Sequence, residues 1–256
     1  MKKKGIGIEK LLYIVGGIFI GIGLVGGIYQ YLQKQQHQQT MDRLRLQMKK
    51  DIVIDKNNES IEEYQSPYED IFHENEDCVA WLKIPGTRVD YPVMHTPDEE
   101  DHYLYKNYYN EEDKNGCLIL AASCDIEKNM TNTLIHGHNM KSGEMFGDLD
   151  CYKDMSFASE HQSIILYTKE QEKQYEVIAA FYGKVLHEGE DGFRYYQFFQ
   201  AKSEEEFDEF IANIEKLNLY NSEITATYGD ELITLSTCSN IGKEGRFVVV
   251  AKRIKS

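Results

Sequence analysis

Three short segments of the 256-residue chain carry side chains that could do chemistry together. The run ITLSTC over 233–238 ends on a thiol, Cys238. The run NTLIHGHNM over 132–140 sets His136 and His138 on either side of Gly137, and GRFVVVAK over 245–252 opens with Arg246. The thiolate, not the thiol, is the attacking species, so a cysteine nucleophile needs a base or a cationic partner. It also needs a donor aimed at the oxyanion that develops on the attacked carbonyl. His136 or His138 can supply the first, and Arg246, always charged and rich in N–H donors, the second. Strand alternation puts Thr234, Ser236 and Cys238 on one face and Ile233, Leu235 and Thr237 on the other. A polar loop from Ser239 to Lys243 follows, which places the thiol for exposure, with Ser236, Thr237 and Asn240 as candidate substrate-binding residues.

Other chemistries have less to stand on. His37, His73, His95, His102, His161 and His187 lie in no comparable turn beside a β run. A His-x-His pair with a cysteine is a fragment of a zinc site, but no second ligand cluster has the required spacing, so neither metal nor cofactor is expected. Cys78, Cys117, Cys124 and Cys151 contain no C-x-x-C, and two bridges among them or four reduced thiols both fit. With five cysteines, at least one thiol is unpaired within the chain. The excess of 43 acidic over 28 basic residues, a formal charge of −15, argues against a nucleic-acid partner, which would be met by Lys and Arg.

The segments that must position these residues read as short strands. Runs rich in β-branched and aromatic residues occur at 79–84, 116–121, 133–136, 163–168, 175–182, 232–238 and 246–252. Seven or eight such strands over about 180 residues suggest a barrel or sandwich. One helix interrupts them at 203–217, where Ser203 and Glu206 form a capping-box pattern. Phe207, Phe210, Ile211, Ile214 and Leu217 give that helix one apolar face.

Upstream, residues 11–33 contain no charged side chain, and about 20 such residues suffice to cross a membrane as a helix. The run is too long for a signal-peptide core and has no small-residue cleavage site after it, so it reads as an uncleaved anchor. Counting bases on either side nearly ties Lys2, Lys3, Lys4 and Lys10 against Lys34, Arg43, Arg45, Lys49 and Lys50. The compact N-terminal cluster favours an inside N-terminus with the domain outside. Met41, Leu44 and Met48 at helical spacing suggest a stalk helix, with a disordered spacer as the alternative.

The order His…Cys…Arg, carried by NTLIHGHNM, TLSTC and GRFVVVAK, resembles the sortases, specifically class B. WLKIPGT from Trp81 with DYPV from Asp90, and HQSIILYT from His161 with YEV from Tyr175, are similar to that family's opening and middle strands. The helix at 203–217 is similar to the insertion that separates class B from class A. The resemblance implies a mainly β fold, a closed eight-stranded barrel over 75–256 with a few helices, one of them between late strands. A cytoplasmic N-terminus at 1–10, a transmembrane anchor at 11–32 and a stalk with a helical segment at 33–74 would precede it. It also implies a single-pass protein of the Gram-positive cell membrane with its catalytic domain extracellular. By position Cys238 would be the nucleophile, His138 the family histidine and Arg246 the family arginine, with His136 where relatives often have Tyr. The expected reaction is cleavage of a C-terminal sorting signal (NPxTN-like or related) after Thr, through a Cys thioester, and transfer to an amine of a peptidoglycan precursor or a pilin lysine. One departure is Asn240, where some relatives carry an acidic residue. A hydrolytic cysteine peptidase and a non-catalytic surface assembly module on the same fold are the rival readings.

Overall fold

The structure is a computed structural model and describes residues 8–51, 64–220, 224–239, 242 and 244–254. Lys2, Lys3, Lys4 and Asn240 lie outside these residues, as do the side chains of Lys10, Met48, Lys49 and Lys50.

Eight strands close into a barrel: β1 (Cys78–Lys83), β2 (Asp90–Met94), β3 (Leu118–Leu120), β4 (Asn132–Gly137), β5 (Ser163–Tyr167), β6 (Glu172–Lys184), β7 (Leu232–Cys238) and β8 (Gly245–Arg253). Their order around the barrel is β1-β2-β3-β4-β7-β8-β6-β5, and β5 returns to β1. All seven strand runs expected from the sequence fall on these strands. The eighth, β2, coincides with the DYPV motif. Closure removes every exposed sheet edge.

Two pairings set the geometry of the site. Strands β4 and β7 run parallel, with His136 beside Ser236 and Gly137 beside Thr237. Their C-terminal ends therefore reach the same rim of the barrel, and the next residue on each is His138 and Cys238. Strands β7 and β8 are antiparallel, with Cys238 opposite Arg246. Directly opposed residues of such a pair project to the same face. Gly137 lies within β4 rather than forming a turn. A Cβ there would sit 2.5 Å from Leu118 Cδ2, so a larger residue would have to displace that buried side chain.

Among the described residues four α-helices accompany the barrel: α1 (Ile8–Asp51), α2 (Glu69–Glu74), α3 (Met155–Glu160) and α4 (Glu204–Leu217). In α4 Ser203 caps the N-terminus by accepting from the Glu206 amide, as the capping pattern requires. The Glu206 carboxylate reaches back to the Lys202 amide. Phe207, Phe210, Ile211 and Ile214 are buried, and Phe210 stacks on Phe198 at 3.8 Å. Leu217, expected on the same face, is exposed, because the helix ends there and the chain turns to pair with β6 through Leu219 and Ala180.

Helix α1 joins the apolar segment and the stalk without a break. Its side chains at Leu12, Tyr13 and from Val15 to Leu32 are largely exposed, and its length and hydropathy suit a membrane anchor. Further along, His37, Thr40, Met41 and Leu44 are buried. Met41 and Leu44 join Tyr68, Ile71 and Phe72 in the barrel's hydrophobic core, where Tyr68 stacks on Trp81 at 4.7 Å. This part of the stalk is thus a docked element, not a spacer.

At the other side of the barrel Glu231 accepts from Lys173 Nζ (2.7 Å), Tyr175 OH (2.8 Å) and Arg253 Nη1 (2.7 Å). Burial would raise its carboxyl pKa, but the Lys173 ammonium, Arg253 and Tyr175 together hold it below the ordinary 4.5. A carboxyl lowered by folding contributes stability above its unfolded pKa and loses it as pH falls through the folded value. Glu231→Gln leaves Lys173, 3% exposed, without its carboxylate. Removing one partner of a buried pair costs about 3–5 kcal/mol. Urea unfolding of the variant is expected to show that loss at pH 7 and a shallower decline between pH 5 and 3 than the unaltered chain. An unchanged acid limb would contradict this role.

Candidate active site

Cys238 ends β7 exposed at the rim, between two depressions. The larger, about 660 Å³, is walled by His136, His138, Tyr195, Ser236 and Arg246. The smaller, about 500 Å³, carries Asn139, Asp148 and Asp150. Asn139 Nδ2 donates to the Cys238 carbonyl at 2.7 Å and to Asp150 at 3.1 Å, which pins the end of β7 to the loop after β4.

The five cysteines are unpaired thiols in the structure. Burial pushes Cys78 and Cys117 far above the ordinary thiol value and Cys124 up to about 11, so none of the three is a thiolate near neutrality. Cys151 is exposed, but burial and then Asp148 still raise it. Cys238 alone of the five stands with an imidazole and a guanidinium at the same cleft.

His138 donates from Nε2 to the carbonyl of Leu104 at 2.9 Å, and the Tyr105 ring lies 5.1 Å from its own. A carbonyl only accepts, so Nε2 carries a proton, and Nδ1 is the nitrogen left to exchange protons with a substrate. Arg246 is half-buried and donates from Nη1 to the Gly245 carbonyl at 3.0 Å, which aligns its side chain along the start of β8.

His136, one strand position before Gly137, lies 3.5 Å from Glu100 Oε1. Burial lowers its pKa below 6.5; Glu100 and Asp101 oppose this, and Arg246 and His138 add to it. The Ser236 hydroxyl is buried and bonded to Tyr195 OH at 2.8 Å, so it supports the cleft wall. The Thr237 hydroxyl is buried on the other face and donates to the Gly137 carbonyl at 2.8 Å, joining the two strands that carry the site. Leu104, Tyr105, Asn139 and Tyr195 were not apparent as site residues in the sequence. Asn139 lies in the NTLIHGHNM run but was not singled out there, and Leu104, Tyr105 and Tyr195 come from segments without a motif of their own.

A thiol held at a barrel rim beside an imidazole and a guanidinium is equipment for acyl transfer through a thioester. The Sortase domain family model matches residues 82–254. Sortase B of Listeria monocytogenes is 30% identical over 257 residues, covering 99% of each chain, and Sortase B of Staphylococcus aureus is 26% identical over 99% of this chain and 98% of that one. Among solved structures, sortase B from Bacillus anthracis superimposes with a TM-score of 0.72 at 25% identity, over 88% of this chain and 100% of that one. A Staphylococcus aureus sortase B–substrate complex gives a TM-score of 0.74 at 24% identity, over 88% of this chain and 99% of that one. The chain belongs to the sortase family, class B, and is a cysteine transpeptidase. Its substrates in general are sorting-signal proteins and amine acceptors, and the apolar part of α1 fits a membrane anchor.

Proposed function

We propose that Cys238, His138 and Arg246 carry the reaction, and that the chain cleaves an NPxTN-like sorting signal after Thr and passes the acyl chain to an amine of a peptidoglycan precursor. The convergence of these three side chains at one rim, dictated by the parallel β4–β7 and antiparallel β7–β8 pairings, is the observation that carries this reading. The Cys238 sulfur, as thiolate, attacks the Thr carbonyl carbon, and Arg246 stabilises the oxyanion. As the C–N bond breaks, His138 gives a proton from Nδ1 to the leaving amine, and a thioester remains. An incoming amine then attacks the thioester carbonyl, His138 takes up its proton, and the sulfur leaves as thiolate.

Two depressions meeting at one sulfur suit a transferase, which must hold an acyl donor while an amine arrives from elsewhere. Residues 11–32 act as the membrane anchor and residues 75–256 as the catalytic barrel on the outer side, where such an acceptor resides. The test is a screen of sorting-signal peptides with the full chain in lipid nanodiscs, read by mass spectrometry with and without a triglycine amine. Amine adducts replacing the hydrolysed acid as triglycine rises are expected. A product that remains the free acid at every triglycine concentration would favour a hydrolase, and no cleavage of any Thr-containing signal would overturn the substrate assignment.

A further inference from the structure

The docked part of α1 touches one loop in particular, residues 104–117. His37 Nδ1–H donates to Asp113 Oδ2 at 2.7 Å, with the two side chains 2% and 3% exposed. Six residues along the same helix, the Arg43 guanidinium sits 4.7 Å over the Tyr109 ring. The helix that suits the membrane is therefore fixed to this loop at two points.

The other end of the loop holds the catalytic imidazole. Leu104 supplies the carbonyl that accepts from His138 Nε2, and Tyr105 supplies the ring beside it. The two ends are tied directly, because the Asp113 amide donates to the Tyr105 carbonyl at 2.9 Å. The second Asp113 oxygen accepts from the Asn115 amide at 2.9 Å, so the carboxylate is held from both sides. Gly116, at φ +59°, packs so closely on the Leu104 carbonyl that a Cβ there would lie 2.1 Å from its oxygen. The loop has little room to move at one end without moving at the other.

A buried polar pair is a poor source of net stability, since taking both groups out of water offsets most of what their hydrogen bond returns. Among the described residues His37 also leaves its Nε2 buried without a hydrogen-bond partner. Burial for packing alone would favour an apolar side chain at this place. We propose that His37 is a positioning residue for the transpeptidation: through Asp113 it sets the 104–117 loop and, with it, the orientation of the His138 ring, so that the stalk helix is part of the catalytic apparatus. This rests on the reading of His138 as the proton-transfer group.

The test uses the full chain in lipid nanodiscs, with His37→Gln, Asp113→Asn and the exchanged pair His37→Asp/Asp113→His. Two quantities are read: the His138 ring signals in a histidine-labelled NMR spectrum, and kcat and KM for a sorting peptide that the unaltered chain cleaves. Each single change is expected to shift the His138 signals and to lower kcat about 10- to 100-fold, the scale of a small misplacement of a reacting group. KM should change less than kcat, because of the 104–117 loop only Leu104 and Tyr105 line the larger cleft, and the exchanged pair should recover most of kcat. Unmoved His138 signals in both single variants would overturn the proposal. So would a fall in kcat that matches the fraction unfolded by thermal melting and is not recovered by the exchange. His138→Ala separates the two readings: if that variant still turns over, the proton-transfer role fails, while the NMR spectra of the His37 and Asp113 variants still decide whether His37 orients the ring.

Discussion

Cys238→Ala is expected to abolish turnover, with a fall in kcat of about 10⁴-fold or more, the scale seen when a covalent nucleophile is removed. No other thiol can take over. Cys78, Cys117 and Cys124 are buried with raised pKa values, and Cys151 lies on the side of the rim away from the histidine and arginine. The fold should not suffer, since Cys238 is the exposed last residue of β7 and its carbonyl bond to Asn139 is made by the backbone. A melting temperature within about 2 °C of the unaltered chain is therefore expected alongside the loss. Cys238→Ser keeps the position but offers a poorly acidic hydroxyl, and is expected to be nearly as inactive. The thioester gives a direct check: incubation of the unaltered chain with sorting peptide should add the acyl fragment to the intact mass. That adduct should be absent in Cys238→Ala and cleaved by hydroxylamine in the unaltered chain. Turnover retained in Cys238→Ala would remove the nucleophile assignment altogether.

The legibility of this site in the sequence follows from where each part lies in the chain. Cys238 ends β7, His138 directly follows β4 and Arg246 is the second residue of β8, and strands announce themselves by residue type and alternation. Their convergence was readable only through the family resemblance, because parallel pairing of β4 with β7 joins segments about 100 residues apart and no local pattern encodes it. The α4 stripe was legible through its period and cap, yet Leu217 was misplaced because a period does not reveal where the chain leaves the surface it covers. His37 shows the opposite failure. In sequence it is one polar residue among glutamines, while in the fold it is buried, since its partner Asp113 lies 76 positions away in a loop without regular structure. Leu104 escapes notice for a related reason: it acts through a backbone carbonyl, which every residue type has.

His138→Ala is expected to lower kcat by about 10²- to 10⁴-fold, the range for loss of a positioned proton donor. On the proposed mechanism the substitution removes the group that protonates the leaving amine, so acylation should be the slowed step, and the thioester should accumulate more slowly in the intact-mass measurement. Adding imidazole at tens of millimolar should restore part of the rate, because the vacated side chain lines an open cleft of about 660 Å³. His136 is the natural control. It lies two residues earlier, in β4, and burial lowers its pKa below 6.5. Its ring faces Glu100 at 3.5 Å, whereas Nδ1 of His138 is left for substrate, so His136→Tyr should keep kcat within about threefold. The two variants thus discriminate between the histidines by chemistry. Were His136→Tyr to lose a hundredfold while His138→Ala kept most of its activity, the proton would be travelling through the other ring, and the Leu104 carbonyl would be holding a merely structural histidine.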